Sequence, residues 1–256
     1  MDLMPEYDYL YLGDNARNPY GNHGEENIKL FTEQAVNYLF SKKAKLIILG
    51  CNTASSVALR YLQKKYLKGD KETERKILGV LIPMAEEAVK ITKNKRIGVV
   101  GTKATIRSGN YEKEIKKLNP KISVHSLACP LLVPLIEENW HKKPEAKMIL
   151  KKYLNRIKSC NIDVLILGCT HYPLMIGDFK RYMGKRIKVL SSGEITAVKL
   201  KEYLGRHPEI EKKLSKKGKR EFLTTDDPKV FQNFVQEHFG MKIKTPKQIN
   251  LTPTQS

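Results

Sequence analysis

Apolar positions fall into two kinds of pattern along this chain. Leu46-Ile47-Ile48-Leu49 and Val164-Leu165-Ile166-Leu167 are uninterrupted runs, each ending on a glycine, the mark of a strand buried on both faces of a parallel sheet. Residues 7–12, 77–81, 96–102, 122–127, 187–190 and 221–224 predict further strands. Between them the apolar residues recur at helical spacing. Ile28, Phe31, Ala35, Tyr38 and Leu39 predict a helix over residues 25–40, and Val57, Ala58, Tyr61 and Leu62 predict one after the first run. Further helices are expected from Pro83 through Ile91, over residues 111–118 and 144–159, briefly after Tyr172-Pro173, and through Ala197, Leu200 and Leu204. Residues 225–228 (Thr-Asp-Asp-Pro) read as the cap of a last helix, whose stripe of Phe231, Phe234, Val235, His238 and Phe239 is most simply core packing. Residues 15–21, 103–108 and 129–137 read as loops, and residues 68–76 as a polar connection. The tail after Gly240 has room for one more strand before residues 252–256 fray.

Strands alternating with helices predict an α/β fold of two pseudo-symmetric halves, each a mostly parallel sheet flanked by helices, with a site in the cleft between them. Residues 1–82 and 191–256 are expected to form the first half, and residues 83–190 the second. The 256 residues suffice for one large or two small cores, and 41% hydrophobic with 29% charged residues suits a soluble globular protein. No apolar run approaches the roughly 20 residues of a membrane helix, and the first residues lack a signal-peptide layout. A cytoplasmic location is expected. Net charge is +20, from 47 Lys and Arg against 27 Asp and Glu. The lysines are dispersed, and only residues 212–220 form a dense cluster, with no aromatics among them. A solvated basic surface therefore reads better than nucleic-acid binding; a weak polyanion patch stays open, and a positive field would also draw in a small anionic substrate.

The two uninterrupted runs lead into matched segments, Gly50-Cys51-Asn52-Thr53 and Gly168-Cys169-Thr170-His171, with the cysteines 118 positions apart. Each cysteine should lie just past the carboxyl end of a strand, where open α/β sheets build their sites. A thiol at a helix start meets unpaired N–H groups that stabilise thiolate. Two such thiols on opposite sides of one carbon acid are a general base and a general acid: one removes the α-proton, and the other protonates the opposite face and inverts the centre. The alternative is two small buried hydrophobes, which the matched contexts disfavour. Cys129 and Cys160 lack that context and read as structural. No CxxC or His-x-x-x-His spacing suggests zinc, so all four cysteines read as reduced thiols, with no metal.

Gly13 to Gly21 (Gly-Asp-Asn-Ala-Arg-Asn-Pro-Tyr-Gly), Cys51-Asn52-Thr53-Ala54-Ser55, Gly101-Thr102-Lys103-Ala104-Thr105, Val133-Pro134-Leu135-Ile136-Glu137, Gly168-Cys169-Thr170-His171-Tyr172-Pro173-Leu174 and Thr224-Thr225-Asp226-Asp227 resemble, in order, the motifs of bacterial glutamate racemases. The resemblance implies cofactor-independent interconversion of L- and D-glutamate for peptidoglycan, a two-domain α/β fold and a homodimer. By matching position it implies Cys51 and Cys169 as the acid/base pair, and Tyr20, Gly21, Asn52, Thr53, Thr105, Thr170 and His171 as substrate contacts. Asp14, Glu137 and His171 resemble residues that assist the thiols. Packing at a helix start remains an alternative for His171, and cap or surface roles remain for Asp14 and Glu137. Racemisation of aspartate or another amino acid is a second reading. A catalytically dead basic interaction protein is a third, against which the intact cysteine motifs argue.

Family members begin with a strand ending in Asp-Ser-Gly, then a glycine turn and a helix, about 30 residues ahead of the region that starts here at Pro5. This chain lacks that unit, which would supply a central strand and two substrate contacts. Its apolar neighbours are expected to be exposed and the substrate's amino group poorly held. A start codon assigned too late explains this better than a natural truncation, because every later motif is present.

Overall fold

The structure is a computed structural model that describes residues 1–69 and 74–251. The expected fraying of residues 252–256 and part of the polar connection at 68–76 lie outside the described residues. The chain alternates strands and helices as the apolar pattern implies, and every strand pairing is parallel.

The second half is built on a four-stranded sheet in the order β5-β4-β6-β7, with β4 at Arg96–Gly101, β5 at Ser123–Ala128, β6 at Val164–Gly168 and β7 at Lys188–Leu190. Strand β6 explains its own sequence. Leu165 and Leu167 pack into one core with Leu150, Leu154 and Phe179, from α8 (Pro144–Lys158) and α9 (Ile176–Met183). Val164 and Ile166 pack into another with Met84, Ala88 and Ile115, from α4 (Leu81–Ile91) and α6 (Asn110–Leu118). Side chains alternate across a strand, so a strand covered on both faces is apolar at every position.

The first half departs from the single sheet expected. Strands β1 (Tyr9–Gly13), β8 (Arg220–Thr224) and β9 (Lys247–Gln248) form one sheet, in the order β1-β8-β9. Strands β2 (Leu46–Leu49) and β3 (Lys76–Gly79) form a separate pair. Ile47 and Leu49 pack with Val36 of α1 (Glu25–Ser41) and with Leu59 and Leu62 of α3 (Leu59–Tyr66). Ile48, on the other face, is 37% exposed, as Tyr11 of β1 is at 42%. The first apolar run is therefore fully buried on one face only, with Leu46 half-buried and Ile48 exposed on the other, which corrects the expectation of a strand buried on both.

Three further expectations are corrected. Residues 103–108 were read as a loop, yet Lys103–Arg107 is a helix (α5), nucleated by the Thr102 hydroxyl, which accepts the Thr105 N–H at 3.2 Å. Residues 129–137 were also read as a loop, yet Leu132–Glu137 is a helix (α7). Pro134 lies in its first turn, where a missing N–H costs nothing. In α12 (Pro228–Phe239), capped as expected by Asp227 on the Lys229 N–H, only Phe231 is buried and Phe239 is 56% exposed. The stripe is not a core face.

Helix α10 (Ser192–Arg206) packs on α4, with Lys199 Nζ 3.9 Å from Glu86, and so joins the two halves. Part of the basic cluster is used internally. The N–H groups of Lys217 and Lys219 donate to Asp8 Oδ1, and the Arg220 guanidinium donates to the carbonyls of Tyr7 and Pro5. Among the described residues no helix is long and apolar enough to cross a membrane.

Candidate active site

Because all the strands run parallel, their carboxyl ends gather on one edge of each sheet, and the chemistry-bearing residues gather there too. Asp14 follows β1, Cys51 follows β2, Thr102 follows β4, Cys169 follows β6 and Thr225 follows β8. Cys51 is the N-cap of α2 (Asn52–Val57). The loop is held by Ser55, whose hydroxyl donates to the Leu49 carbonyl at 2.7 Å and accepts the Val80 N–H at 3.2 Å, tying the ends of β2 and β3 together.

The two thiols are close enough for charge on Cys169 to act on Cys51. Burial pushes the Cys51 thiol above its ordinary value; the backbone N–H of Ala54 partly offsets this, and the neighbouring charge of Cys169 adds to the rise. The helix start supplies donors, as expected, but burial outweighs them, so Cys51 is held as the thiol.

Cys169 has a different setting. Its Sγ lies 3.8 Å from His171 Nδ1, and His171 Nε2 forms a very short hydrogen bond with Glu137 Oε1. The same carboxylate oxygen accepts the Asn18 amide at 2.7 Å, across the cleft. Burial alone would lower the His171 pKa. The hydrogen bonds to Cys169 and Glu137 outweigh it and raise the value to about 10. Glu137 moves the opposite way, lowered first by its bond to His171. His171 therefore stands as a cationic imidazole between the Cys169 sulfur and the Glu137 carboxylate. Glu137 closes α7 and is half-exposed, yet it and His171 are bonded to each other behind Cys169.

Asp14 reaches neither thiol by a hydrogen bond. Its Oδ2 accepts the Tyr20 hydroxyl and, at 2.8 Å, Arg17 Nε, while Oδ1 accepts the Thr225 hydroxyl at 2.8 Å. Burial and the Asp14 charge push the Tyr20 phenol well up, so it remains a donor, and Tyr20 also feels the charge of Cys51. Asp14 thus fixes the Tyr20 turn beside the first thiol.

Between the halves, the hydroxyls of Thr53, Thr102 and Thr105 form a buried triangle with sides of 3.0 Å. Gly21 is buried against it: a Cβ there would lie 2.3 Å from Thr102 Cβ, so the turn requires glycine. Asn52 is 1% exposed, accepts the Tyr111 hydroxyl at 2.6 Å on Oδ1, and has no partner at Nδ2. Thr170 is exposed next to Cys169. Every site residue read from the sequence therefore lies on this edge.

Asn18, Thr102, Tyr111 and Thr225 belong to the same network and were not assigned. Three of them lie inside the quoted motifs, while Tyr111 carried no signal beyond helical spacing. Cys129 is buried in the second-half core and donates its N–H to the Gly101 carbonyl. Cys160 is half-buried behind it. Among the described residues no cluster of His, Cys, Asp and Glu could hold a metal ion.

A parallel α/β fold with two matched thiols at its strand ends defines a class, and comparison with known proteins identifies it. The model of the Asp/Glu/Hydantoin racemase family matches residues 2–200. A glutamate racemase of Geobacter metallireducens is 35% identical, over 97% of this chain and 89% of that protein. The crystal structure of a glutamate racemase isoform from Bacillus anthracis superposes with a TM-score of 0.88 at 32% identity, over 98% of this chain and 90% of that one. That of the Francisella tularensis glutamate racemase in complex with D-glutamate superposes with a TM-score of 0.86 at 28% identity, with the same coverage. This chain belongs to the Asp/Glu/Hydantoin racemase family.

Proposed function

We propose that the protein is a glutamate racemase, an isomerase that interconverts L- and D-glutamate with Cys51 and Cys169 as its acid/base pair. The observation that carries this reading is the placement of two matched cysteine segments at parallel strand ends, Cys51 following β2 and Cys169 following β6. The relatives just described are glutamate racemases, which favours glutamate over aspartate or a non-catalytic basic role.

In the direction begun by Cys169, its sulfur removes the substrate's α-proton, with His171 and Glu137 aligned behind it. Cys51, protonated at rest, then donates its proton to the opposite face. In the reverse direction Cys51 must first lose its proton, helped by the donors at the start of α2. The Thr53, Thr102 and Thr105 hydroxyls, the Asn52 amide and the exposed Thr170 supply donors for the two carboxylates, and Gly21 lets the Tyr20 turn approach. Residues 1–82 with 191–256 and residues 83–190 are then the halves on either side of the substrate. The family resemblance extends the proposal to a cytoplasmic homodimer supplying D-glutamate for peptidoglycan.

Purified protein should change the circular dichroism of L-glutamate, and of D-glutamate in the opposite sense, without pyridoxal phosphate. Cys51→Ala and Cys169→Ala should each lower the rate at least about 10³-fold, since one face then lacks its proton carrier and inversion needs both. Full activity in both single variants would overturn the assignment.

A further inference from the structure

Tyr111 is the second residue of α6 and is 3% exposed, within the core that includes Val99, Ile115 and Ile166. Its ring and its hydroxyl face different cysteine loops. The ring lies against Gly168, the residue before Cys169, where an added Cβ would be 3.3 Å from Tyr111 Cε2. The hydroxyl donates to Oδ1 of Asn52, the residue after Cys51, at 2.6 Å. One side chain therefore spans from the strand end that bears one thiol to the loop that bears the other.

The consequence lies at Asn52. A carboxamide is planar, with one acceptor end and one donor end. With Oδ1 engaged by Tyr111, the orientation of the group is fixed and Nδ2 turns away from the phenol. Nδ2 is buried and has no partner, an arrangement that is costly unless an acceptor arrives. An acceptor-only group such as a carboxylate satisfies both N–H directions without offering a competing donor. Burial, and secondarily the charge of Cys169, push the Tyr111 phenol well up, so it stays protonated and remains a donor at any working pH.

We propose that Tyr111 is a positioning residue: by holding Asn52 Oδ1 it presents Nδ2 to a carboxylate of the substrate, while its ring fixes the backbone of the opposing cysteine loop. This rests on the reading of the protein as a glutamate racemase. Tyr111 touches neither thiol through a hydrogen bond and carries no proton in the reaction. Its effect belongs to substrate affinity rather than to the chemical step, and it should be equal for the two enantiomers, which share their carboxylates.

The test is a double-mutant cycle measured in both directions with L- and D-glutamate: wild type, Tyr111→Phe, Asn52→Ala and the double variant, each with its melting temperature. Phe keeps the ring against Gly168 and removes only the donor. Tyr111→Phe should raise KM about tenfold for both enantiomers, in line with the loss of a hydrogen bond to a charged group, with kcat within about threefold. In the Asn52→Ala background the same substitution should leave KM unchanged, because the hydroxyl acts only through the amide; a packing role would instead add equally in both backgrounds. An unchanged KM, a loss confined to kcat, or an equal rise in both backgrounds would overturn the proposal. Should Tyr111→Phe melt below the assay temperature, Asn52→Ala alone decides: a raised KM supports the amide as a substrate donor, and an unchanged KM refutes it. Wild-type turnover measured alongside separates this from the activity itself. An inactive wild type removes the racemase reading, whereas an active wild type without the KM pattern removes only the role of Tyr111.

Discussion

The difference between the two thiols is set by single residues. Cys169 has a charged chain behind it, running through His171 to Glu137 and Asn18, while Cys51 has only hydroxyl and backbone donors. Glu137→Gln keeps the shape and removes the charge of one of the two groups that raise His171, Cys169 being the other. The imidazole should then titrate nearer its ordinary range, and the alkaline limb of the pH–rate profile should move to lower pH, with kcat down about 10–100-fold. An unmoved limb would mean that His171 does not support Cys169. The same pair makes stability depend on pH. His171 is raised above its unfolded value of 6.5, so its contribution is complete below that value and is lost as pH climbs through about 10. Glu137 is lowered from 4.5, so its contribution is present above 4.5 and is lost as pH falls through the folded value. The melting temperature of wild type should therefore exceed that of Glu137→Gln most between pH 4.5 and 6.5, with the gap closing toward both extremes.

At the scale of elements, the turn over Tyr20–Asn22 meets α5 at a contact that only glycine allows. Gly21→Ala must push Thr102 away. It should destabilise by about 1–3 kcal/mol, as overpacking does, and should raise KM because Thr102 is bonded to Thr53 and Thr105. A variant with wild-type melting temperature and KM would contradict that coupling. The elements also show what the sequence could reveal. β6 was legible because both its faces are covered, and a strand so placed has no polar position to disguise it. The matched glycine-cysteine segments were legible because a thiol at a strand end needs a fixed spacing from the run before it. Helices α5 and α7 were missed because five or six residues are too few for a 3.6-residue period to show against Thr102, Pro130 and Pro134. The split of the first half into two sheets could not be read either. Apolarity identifies strands, while which strands pair depends on distant packing, such as Leu46 lying against the Met4, Leu204 and Ile210 cluster rather than with Ile47. Tyr111 was hidden for a related reason: helical spacing marks it as buried and says nothing about where its hydroxyl points.

For the whole molecule, the polar contacts that join the halves include Asn18 to Glu137, Thr53 to Thr102 and Thr105, Tyr111 to Asn52, Asn110 to Ser56, Arg60 to Glu114 and Lys199 to Glu86, beside the packing of Ile195 on the second-half core. Those made by Asn18, Thr53 and Asn52 lie at the site itself, so the site is assembled only when both halves are in register. The net charge of +20 gives the molecule a positive field overall. Because glutamate is an anion, kcat/KM should fall several-fold between roughly 0.02 and 0.3 M ionic strength, where the Debye length drops below about 10 Å; a neutral competitive ligand should show no such dependence. Equal salt responses for charged and neutral ligands would show that the field does not reach the site.

The central claim is that two thiols flank one carbon, and hydrogen exchange at that carbon tests it most directly. In deuterium oxide the thiol that delivers the proton carries solvent deuterium, so the proton taken by one sulfur is not the one delivered by the other. At low conversion of L-glutamate, the D-glutamate formed should carry deuterium at Cα in full while the recovered L-glutamate carries none, with the reverse result when starting from D-glutamate. Deuterium entering the recovered substrate as fast as the product, in either direction, would mean that a single group serves both faces and would contradict the account.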